Sequence, residues 1–370
     1  MLDGGQVRTG DVYEWRNHGN GKHRPALVEA CRGRCVASLA GGYGHSAVVL
    51  ADSLPISADD LGALQPLGAL QQLAFGKDHL VVLTAHGEVF TSGKGGWGQL
   101  GHASMGEALS PMLVRKLDGR VVTQVAAGAM HSCALTDAGD VYSWGRGFEG
   151  QLGHGVGLNE AALSPRCVVG LRAAGRVLEL SAGAFHCAAR GEDGSVWAWG
   201  DGTSGQLGVG ALLSKASTPV RVEGLPACCS VSCGYMHTAA AARGLGAYAW
   251  GLGTHGQLGF ETSQPNARFA TGPRKVGGEL SCIAMQVVCA GNSISALLAS
   301  GRVYVWGDGL ADPTQLAGLR DAGKVSRLAS NGVSTLVLVN TAVSAIVPAC
   351  TPLEGGAPVS IFGYTFFDGF

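Results

Sequence analysis

One unit recurs along the chain and constrains its fold more than any other feature. It is most complete at residues 126–155, as AAGAMHSCALTDAGDVYSWGRGFEGQLGHG, and related copies occupy 74–102, 181–210 and 232–260. Weaker copies flank these, so that seven anchor positions follow one another at about 48 residues on average, a spacing typical of propeller blades. The anchors are His45, His79, His131, His186, His237, Ile294 and Ser334.

Within a unit, short β-favouring runs alternate with glycine-rich turns, and no copy shows a helical period. The N-terminal GDVYEW matches the second half of a unit, whereas the copy at Ser334 has a first half only. The two ends of the chain can therefore complete one blade together, which closes the ring and leaves no unpaired sheet edge. We predict an all-β, seven-bladed β-propeller over residues 6–340, closed by N- and C-terminal strands.

Residues 341–370 differ in character from the repeats. The segment TPLEGGAPVSIFGYTFF has Pro and Gly punctuation before a strand-like run, and it resembles the opening of a TIG-like immunoglobulin domain. We interpret it as a linker followed by an incomplete TIG-like strand segment. Because two strands cannot bury a core alone, either the chain is a fragment of a larger protein, which we favour, or this tail packs on the propeller.

Charge and cysteine content limit the classes of partner and the compartment. The 26 Lys+Arg balance 27 Asp+Glu with no basic run, so neither nucleic acid nor a membrane is an expected partner. The uncharged stretch 328–353 contains TLVLV, which we interpret as a buried strand rather than a membrane span. With no secretion signal at the N-terminus and 11 Cys, we expect an intracellular monomer with reduced thiols, cytoplasmic rather than nuclear.

Four G-x-G-x-x-G segments invite a dinucleotide-binding interpretation, at 93–98, 145–150, 200–205 and 251–256. Such a site also needs a following helix whose N-terminus holds the pyrophosphate. Here each segment continues as Q-L-G and reaches a proline without any helical pattern. We therefore predict tight turns that use Gly where φ is positive, and no cofactor.

The repeated His and Trp are predicted to be structural rather than catalytic. Five His at equivalent points of five blades are too far apart to share a metal ion, so we expect each to hydrogen bond to a neighbouring backbone. The Trp residues of the repeat should lie in the core. The sets are His45, His79, His131, His186 and His237, and Trp144, Trp199, Trp250 and Trp306.

Metal and catalytic sites find no support in residue spacing. His18, His23, Cys31 and Cys35, or the group Cys228, Cys229 and Cys233, lack zinc-finger spacing. Neither a G-x-S-x-G nor an H-E-x-x-H segment occurs. We predict no catalytic residues and no metal site, and the chain is not expected to be an enzyme.

The G-x-x-H, W-G and G-Q-L-G elements together resemble the regulator of chromosome condensation repeat, whose family members form seven-bladed propellers. The resemblance covers about nine tenths of the chain, and GRGFEGQLGHG, GDGTSGQLGVG and GLGTHGQLGF carry its turn in full. It implies one of several functions, because one branch of the family exchanges guanine nucleotides on the Ran GTPase, another senses UV-B light and others bind proteins.

Each branch can be weighed against this sequence. No basic tail or acidic wedge matches the exchange factor, and the GAMH, GAFH and GYMH segments lack the Trp that the light sensor uses. We therefore predict a protein–protein interaction scaffold that presents loops on one propeller face, with guanine nucleotide exchange on a Ran-type small GTPase as the alternative. A lectin or small-ligand propeller is a third, less favoured interpretation.

Turn residues are the candidates for binding such a partner, because equivalent turns of a propeller lie on one face. Exposed aromatic residues with flanking cations are typical of binding hot spots. The alternative is that each ring only covers the end of its own blade. The candidates are Lys94, Trp97, Arg146, Phe148, Glu149, Asp201 and His255.

Overall fold

In a computed structural model, the repeats form antiparallel β-sheets joined by short turns. The described residues are 8–9, 11–16, 26–27, 31, 35–43, 45–50, 56–57, 62–155, 160–260, 268–277, 280, 283–316, 324–330, 334–340, 345–346 and 361–362. Their regular elements are strands and three 3-10 helices, Gly62–Leu67, Arg115–Leu117 and Leu171–Ala174.

The strands of the first three repeats, with the N-terminal segment, are β1 (Arg8–Thr9), β2 (Asp11–Arg16), β3 (Ala26–Leu27), β4 (Cys35–Gly42), β5 (His45–Leu50), β6 (Ile56–Ser57), β7 (Leu70–Phe75), β8 (His79–Thr84), β9 (Val89–Gly93), β10 (Ala108–Leu113), β11 (Val122–Ala127), β12 (His131–Thr136), β13 (Val141–Gly145) and β14 (Ala162–Cys167). The remaining strands are β15 (Val177–Ala182), β16 (His186–Gly191), β17 (Val196–Asp201), β18 (Lys215–Arg221), β19 (Cys228–Cys233), β20 (His237–Ala242), β21 (Gly246–Leu252), β22 (Phe269–Lys275), β23 (Ala284–Ala290), β24 (Ser293–Leu298), β25 (Val303–Gly307), β26 (Leu310–Gln315), β27 (Lys324–Ser330), β28 (Ser334–Asn340), β29 (Ala345–Ile346) and β30 (Ile361–Phe362).

Seven sheets have four strands each, and they are the blades of a propeller. Blades 1 to 6 have the strand orders β1-β4-β5-β6, β7-β8-β9-β10, β11-β12-β13-β14, β15-β16-β17-β18, β19-β20-β21-β22 and β23-β24-β25-β26. Blade 7 has the order β27-β28-β2-β3, so it combines strands from both ends of the chain. The prediction of an all-β, seven-bladed propeller is confirmed.

The ring closes where the two ends of the chain share blade 7. Strand β2 pairs antiparallel with β28, from Asp11 opposite Val339 to Arg16 opposite Ser334. The inner strands β4, β7, β11, β15, β19, β23 and β27 each contact the next, and β27 contacts β4. The TLVLV segment lies in β28 and is buried, as its apolar pattern predicts. No described helix is long and apolar enough to cross a membrane.

Burial across a blade follows the position of each strand. All six residues of the second strand β12 are buried, because neighbouring blades cover both of its faces, whereas only one of the six residues of the outer strand β10 is buried. The prolines that end each repeat, such as Pro111 and Pro165, lie in these outer strands, where a missing N–H leaves no ladder partner unsatisfied. The four repeat Trp are fully buried and lie between adjacent blades.

Register identifies one anchor that the sequence comparison misplaced. His131 pairs with Gly145 and His237 with Gly251, both at the start of the second strand. In blade 6 it is Ser293 that pairs with Gly307, whereas Ile294 lies one residue further on. The equivalent of the repeated His is therefore Ser293 and not Ile294.

Long polar side chains on the inner strands fasten each blade to the next. The amide of Gln124 donates to the Leu180 carbonyl at 2.8 Å and accepts from the Leu180 N–H at 2.9 Å. Gln72 and Gln286 bridge in the same way to Val125 and Leu328. Each bridge adds two hydrogen bonds between inner strands whose backbones are not paired with one another.

Candidate interaction face

The four G-x-G-x-x-G segments form turns on one face of the propeller, which we call the glycine-turn face. Gly145 and Gly150 have φ of +102° and +80°, and the Gly150 N–H donates to the Gly147 carbonyl at 2.9 Å. A Cβ at Gly150 would lie 2.7 Å from the Ala216 carbonyl oxygen of the next blade. The segments therefore require glycine for positive φ and close inter-blade contact, which confirms their interpretation as tight turns.

Trp97 and Phe148 come together on this face although they belong to blades 2 and 3. Their ring centroids are 5.7 Å apart in an edge-to-face arrangement, and the side chains are 38% and 46% exposed. The guanidinium of Arg146 lies 5.6 Å from the Trp97 ring centroid and 5.5 Å from that of Phe148. It also lies 5.2 Å from the ring of Phe185 in blade 4. These four residues form what we call the aromatic–arginine cluster.

Glu149 holds this cluster in place electrostatically. Its carboxylate forms an ion pair with Arg146 at 2.7 Å, and both side chains are about three quarters covered. Because the guanidinium is held by three rings and one carboxylate, it is fixed over the aromatic surface rather than mobile in solvent. The cluster is a preformed, partly apolar surface that spans three blades.

The other candidate residues lie apart from the cluster. Lys94 forms an exposed ion pair with Asp78 at 3.1 Å. Asp201 is buried, and its carboxylate accepts from the Thr203 N–H and from Gln206 Nε2, so it stabilises its own turn rather than lying exposed at the surface. His255 is exposed, and its Nδ1 lies 3.0 Å from the hydroxyl of Thr254.

Phe185 is a member of the cluster that the sequence analysis missed. It stands immediately before the repeated His186, at the turn from the first to the second strand of blade 4, and is half-buried. Met130 and Met236 hold the equivalent positions in blades 3 and 5. The position before each repeated His is thus the sequence signal for side chains on this face.

The repeated His make a different contact from the one predicted. Nε2 of His79 lies 2.9 Å from the Ser132 hydroxyl of the next blade, which itself donates to the Gln99 carbonyl at 2.8 Å. Because that hydroxyl uses its proton on Gln99, the ring must donate through Nε2–H. Trp144 Nε1 donates to the same carbonyl at 2.8 Å. We call this arrangement the inter-blade clasp; the partner of Nε2 in it is a side-chain hydroxyl, whereas a backbone group was predicted.

The clasp recurs with altered chemistry at the later junctions. His186 binds Thr238, and Thr238 binds the Gln206 carbonyl, both at 2.9 Å. At the next junction Ile294 replaces the hydroxyl, and neither ring nitrogen of His237 has a hydrogen-bond partner among the described residues. His45 instead stacks on Phe75, with centroids 5.5 Å apart.

Burial keeps these imidazoles neutral. It lowers the pKa of His79 and His237 to about 4 and that of His186 to about 3. The neutral form is the one that the clasp uses, because a single Nε2–H suffices for the hydroxyl acceptor. The imidazoles of His79 and His186 therefore keep one Nε2–H to donate to the hydroxyl of the next blade.

The central channel contains a small cavity of about 70 Å³ near Tyr43 and Tyr235. Their ring centroids are 5.5 Å apart, and Tyr43 has φ of +48°. Burial raises the pKa of Tyr43. Sites for organic ligands usually enclose about 300 Å³ or more, so this cavity is too small for a sugar. It gives no support to the lectin or small-ligand interpretation.

The cysteine groups weighed from spacing do not converge in the described residues. The thiols of Cys228, Cys229 and Cys233 donate to three different carbonyls, those of Pro226, Ala241 and Ser181. Cys31 is buried, and only the backbone of Cys35 is described. His18 and His23 lie outside the described residues.

Comparison with known proteins identifies the family. A family model for the RCC1-like domain matches residues 5–311. The mouse E3 ubiquitin-protein ligase HERC2 is 30% identical over 296 residues, which cover 75% of this chain and 6% of HERC2. The Arabidopsis thaliana ultraviolet-B receptor UVR8 is 30% identical over 295 residues, covering 74% of this chain and 65% of the receptor. The match thus spans less than two thirds of either relative.

Solved structures share the fold at lower identity. Human WBSCR16 superposes with a TM-score of 0.71 at 21% identity, covering 90% of this chain and 99% of that one. Yeast RCC1 (Prp20), in its complex with Kap60, gives a TM-score of 0.73 at 19% identity, covering 91% and 90%. Together with the seven blades and the repeated turn, these matches confirm the resemblance drawn from the repeats: the chain belongs to the RCC1-like domain family.

Proposed function

We propose that this chain is a protein-interaction scaffold whose glycine-turn face binds a partner protein through the aromatic–arginine cluster. The observation that carries the proposal is that Trp97 and Phe148, from separate blades, meet as exposed rings around one fixed guanidinium. Trp, Tyr and Arg are enriched in binding hot spots, and aromatic rings bury large areas with little loss of side-chain freedom.

The arrangement favours this role over the alternative in which each ring only covers its own blade. A covering ring would pack on the strands beneath it, whereas these rings lie edge to face with each other across a blade boundary and remain about 40% exposed. When a partner covers the exposed part of such rings, the burial of apolar surface contributes about 25 cal/mol of binding free energy per Å². A scaffold of this kind needs no chemistry from the chain itself.

The experiment is affinity purification on the immobilised chain, with bound proteins identified by mass spectrometry and their affinities then measured. Trp97→Ala and Phe148→Ala should each weaken binding by about tenfold or more, the range of a hot spot. Val121→Ala is the matched control, because Val121 is 51% exposed at the opposite end of blade 3. Partners that bind all variants equally would contradict the proposal.

The same purification separates the alternative function. One half is run with magnesium and guanine nucleotide, and the other with EDTA. A small GTPase retained only in EDTA would indicate nucleotide exchange, because an exchange factor acts by binding the nucleotide-free GTPase best. Partners retained equally in both conditions support the scaffold. Yeast Prp20, which shares the fold of this chain, binds Gsp1p and histones, and this motivates the comparison with and without EDTA.

A further inference from the structure

Three potential metal ligands converge in the wall between blades 3 and 4. Nε2 of His131 lies 3.2 Å from Sγ of Cys187, and Sγ of Cys133 lies 3.7 Å from the same sulfur. All three ligand atoms lie within 4.8 Å of one another, and all three residues are fully buried. His131 and Cys133 belong to β12, whereas Cys187 belongs to β16, so the group joins two blades.

Comparison with the next junction shows how this group differs from the clasp. At the neighbouring junction the equivalent residues are His186, Ala188 and Thr238, an imidazole with one hydroxyl and no thiol. Between blades 3 and 4, two substitutions occur together: Cys187 replaces the hydroxyl and Cys133 replaces the alanine. The Cys187 thiol completes the clasp by itself, because it donates to the Gln151 carbonyl at 3.5 Å as the hydroxyl does at the other junctions. The Cys133 thiol is not needed for that arrangement, and its hydrogen-bond partner among the described residues is the Cys187 sulfur, at 3.7 Å.

The distances match those of a coordinated ion. With Zn–S near 2.3 Å, Zn–N near 2.05 Å and tetrahedral angles, two sulfurs lie about 3.8 Å apart and a sulfur and a nitrogen about 3.6 Å apart. The observed 3.7 Å matches the sulfur–sulfur distance, the 3.2 Å between His131 Nε2 and Cys187 Sγ must lengthen slightly, and the remaining pair lies within 4.8 Å. Thiolate and imidazole are the ligands that soft and borderline d10 ions prefer.

We propose that His131, Cys133 and Cys187 bind one thiophilic d10 metal ion, Zn²⁺ or Cu⁺, that fastens blade 3 to blade 4. On binding, each thiol loses its proton to solvent and forms a metal–sulfur bond, and Nε2 of His131 forms the third bond. The Nε2 proton of the neutral ring moves to Nδ1, which has no hydrogen-bond partner among the described residues. Zn²⁺ with two thiolates and a neutral imidazole carries no net charge, which suits a buried position.

The test is metal binding by the full chain after chelator stripping under reducing conditions. Zn²⁺ is titrated against a chromophoric chelator, Cu⁺ is titrated anaerobically against its own chelator, and Cd²⁺ reports thiolate bonds by ultraviolet absorption. We expect one ion per chain to remain bound in the presence of the chelator. Comparison of the Zn²⁺ and Cu⁺ titrations shows which of the two metals the site prefers. Failure of both ions to bind would overturn the proposal.

The repeat supplies matched variants that should still fold. Cys133→Ala copies Ala188 and Cys187→Thr copies Thr238, so each restores the residue of the next junction. Each substitution should abolish tight binding of the metal ion. This is a larger effect than the roughly 10- to 100-fold loss of metal affinity that follows removal of a side chain that only hydrogen bonds to a ligand. Cys228→Ala removes a buried thiol outside the proposed site, and this variant should bind the metal ion as tightly as the unaltered chain does. Equal stoichiometry in all variants would refute the site.

Discussion

Thr238→Val tests whether the inter-blade clasp stabilises the propeller. The Thr238 hydroxyl accepts from His186 Nε2 and donates to the Gln206 carbonyl, both at 2.9 Å, and the side chain is fully buried. Valine has nearly the same shape, so no cavity forms and the change isolates the hydroxyl. The Gln206 carbonyl keeps its bond from Trp250 Nε1, whereas the His186 Nε2–H is left without an acceptor.

The expected cost follows from that stranded donor. A buried N–H without a partner costs about 1–3 kcal/mol, so the free energy of unfolding should fall by about 2 kcal/mol. For a cooperative unit of this size the melting temperature should fall by roughly 3 °C. The assays are urea denaturation followed by circular dichroism and differential scanning calorimetry. Thr314→Val, at an exposed position on β26, is the control and should change stability by less than about 0.5 kcal/mol.

A double-mutant cycle identifies the mechanism. If the stranded imidazole causes the loss, His186→Leu should be less destabilising in the Thr238→Val background than in the unaltered chain, with a coupling energy of about 1 kcal/mol. Additive effects, or a Thr238→Val variant as stable as the original protein, would refute the reasoning that the clasp stabilises the junction.

Three further outcomes are expected. Burial lowers the pKa of His79 and His237 to about 4, so as pH falls below 6.5 the unfolded chain takes up protons before the folded chain does. The free energy of unfolding should therefore be highest above pH 6.5 and fall by up to about 1.4 kcal/mol per pH unit for each histidine down to pH 4, and urea midpoints that do not change with pH would contradict this. Gln124→Met removes both bonds to the next inner strand and should cost about 1–2 kcal/mol in urea denaturation, with no change arguing against a stabilising bridge. Gly150→Ala places a Cβ against a backbone oxygen on a residue with φ of +80°, and the free energy of unfolding should fall by at least about 2 kcal/mol in calorimetry. Gly96→Ala is the control, because a Cβ there meets open space and stability should hardly change. Equal effects of the two variants would show that backbone strain is not the cause.

The candidate site was only partly predictable from the sequence. Trp97 and Phe148 stand out as aromatic residues in two glycine-rich turns, and Arg146 and Glu149 lie in the same turn as Phe148. Phe185 does not stand out, because its contact with Arg146 crosses from one blade to the next. Asp201 occupies a turn position like the others, yet its carboxylate folds back onto Gln206. Turn position alone does not tell whether a polar side chain points outward or satisfies the turn.

The metal-ligand group shows the same limit. Cys133 and Cys187 are 54 positions apart, and no spacing rule for metal sites connects residues across that distance. His131 and Cys133 are two positions apart in β12, so their side chains point to the same face of the sheet. The packing of the next blade brings Cys187 to them. Only the assembled ring places the two thiols together.

The sequence by itself determined the repeat, the β-strands, the glycine turns, the buried Trp and the closure of one blade from both ends of the chain. These features follow from local rules, namely alternation, positive φ at Gly and the periodic recurrence of one unit. The tertiary structure alone decided the partner of each repeated His, the register that makes Ser293 rather than Ile294 its equivalent, and the clustering of rings and thiols. The reason is physical: the contacts of the His, the rings and the thiols cross blade boundaries and join residues about 50 positions apart, where the closed ring determines proximity. The position of Ser293 depends on strand pairing within blade 6, which the local pattern does not specify.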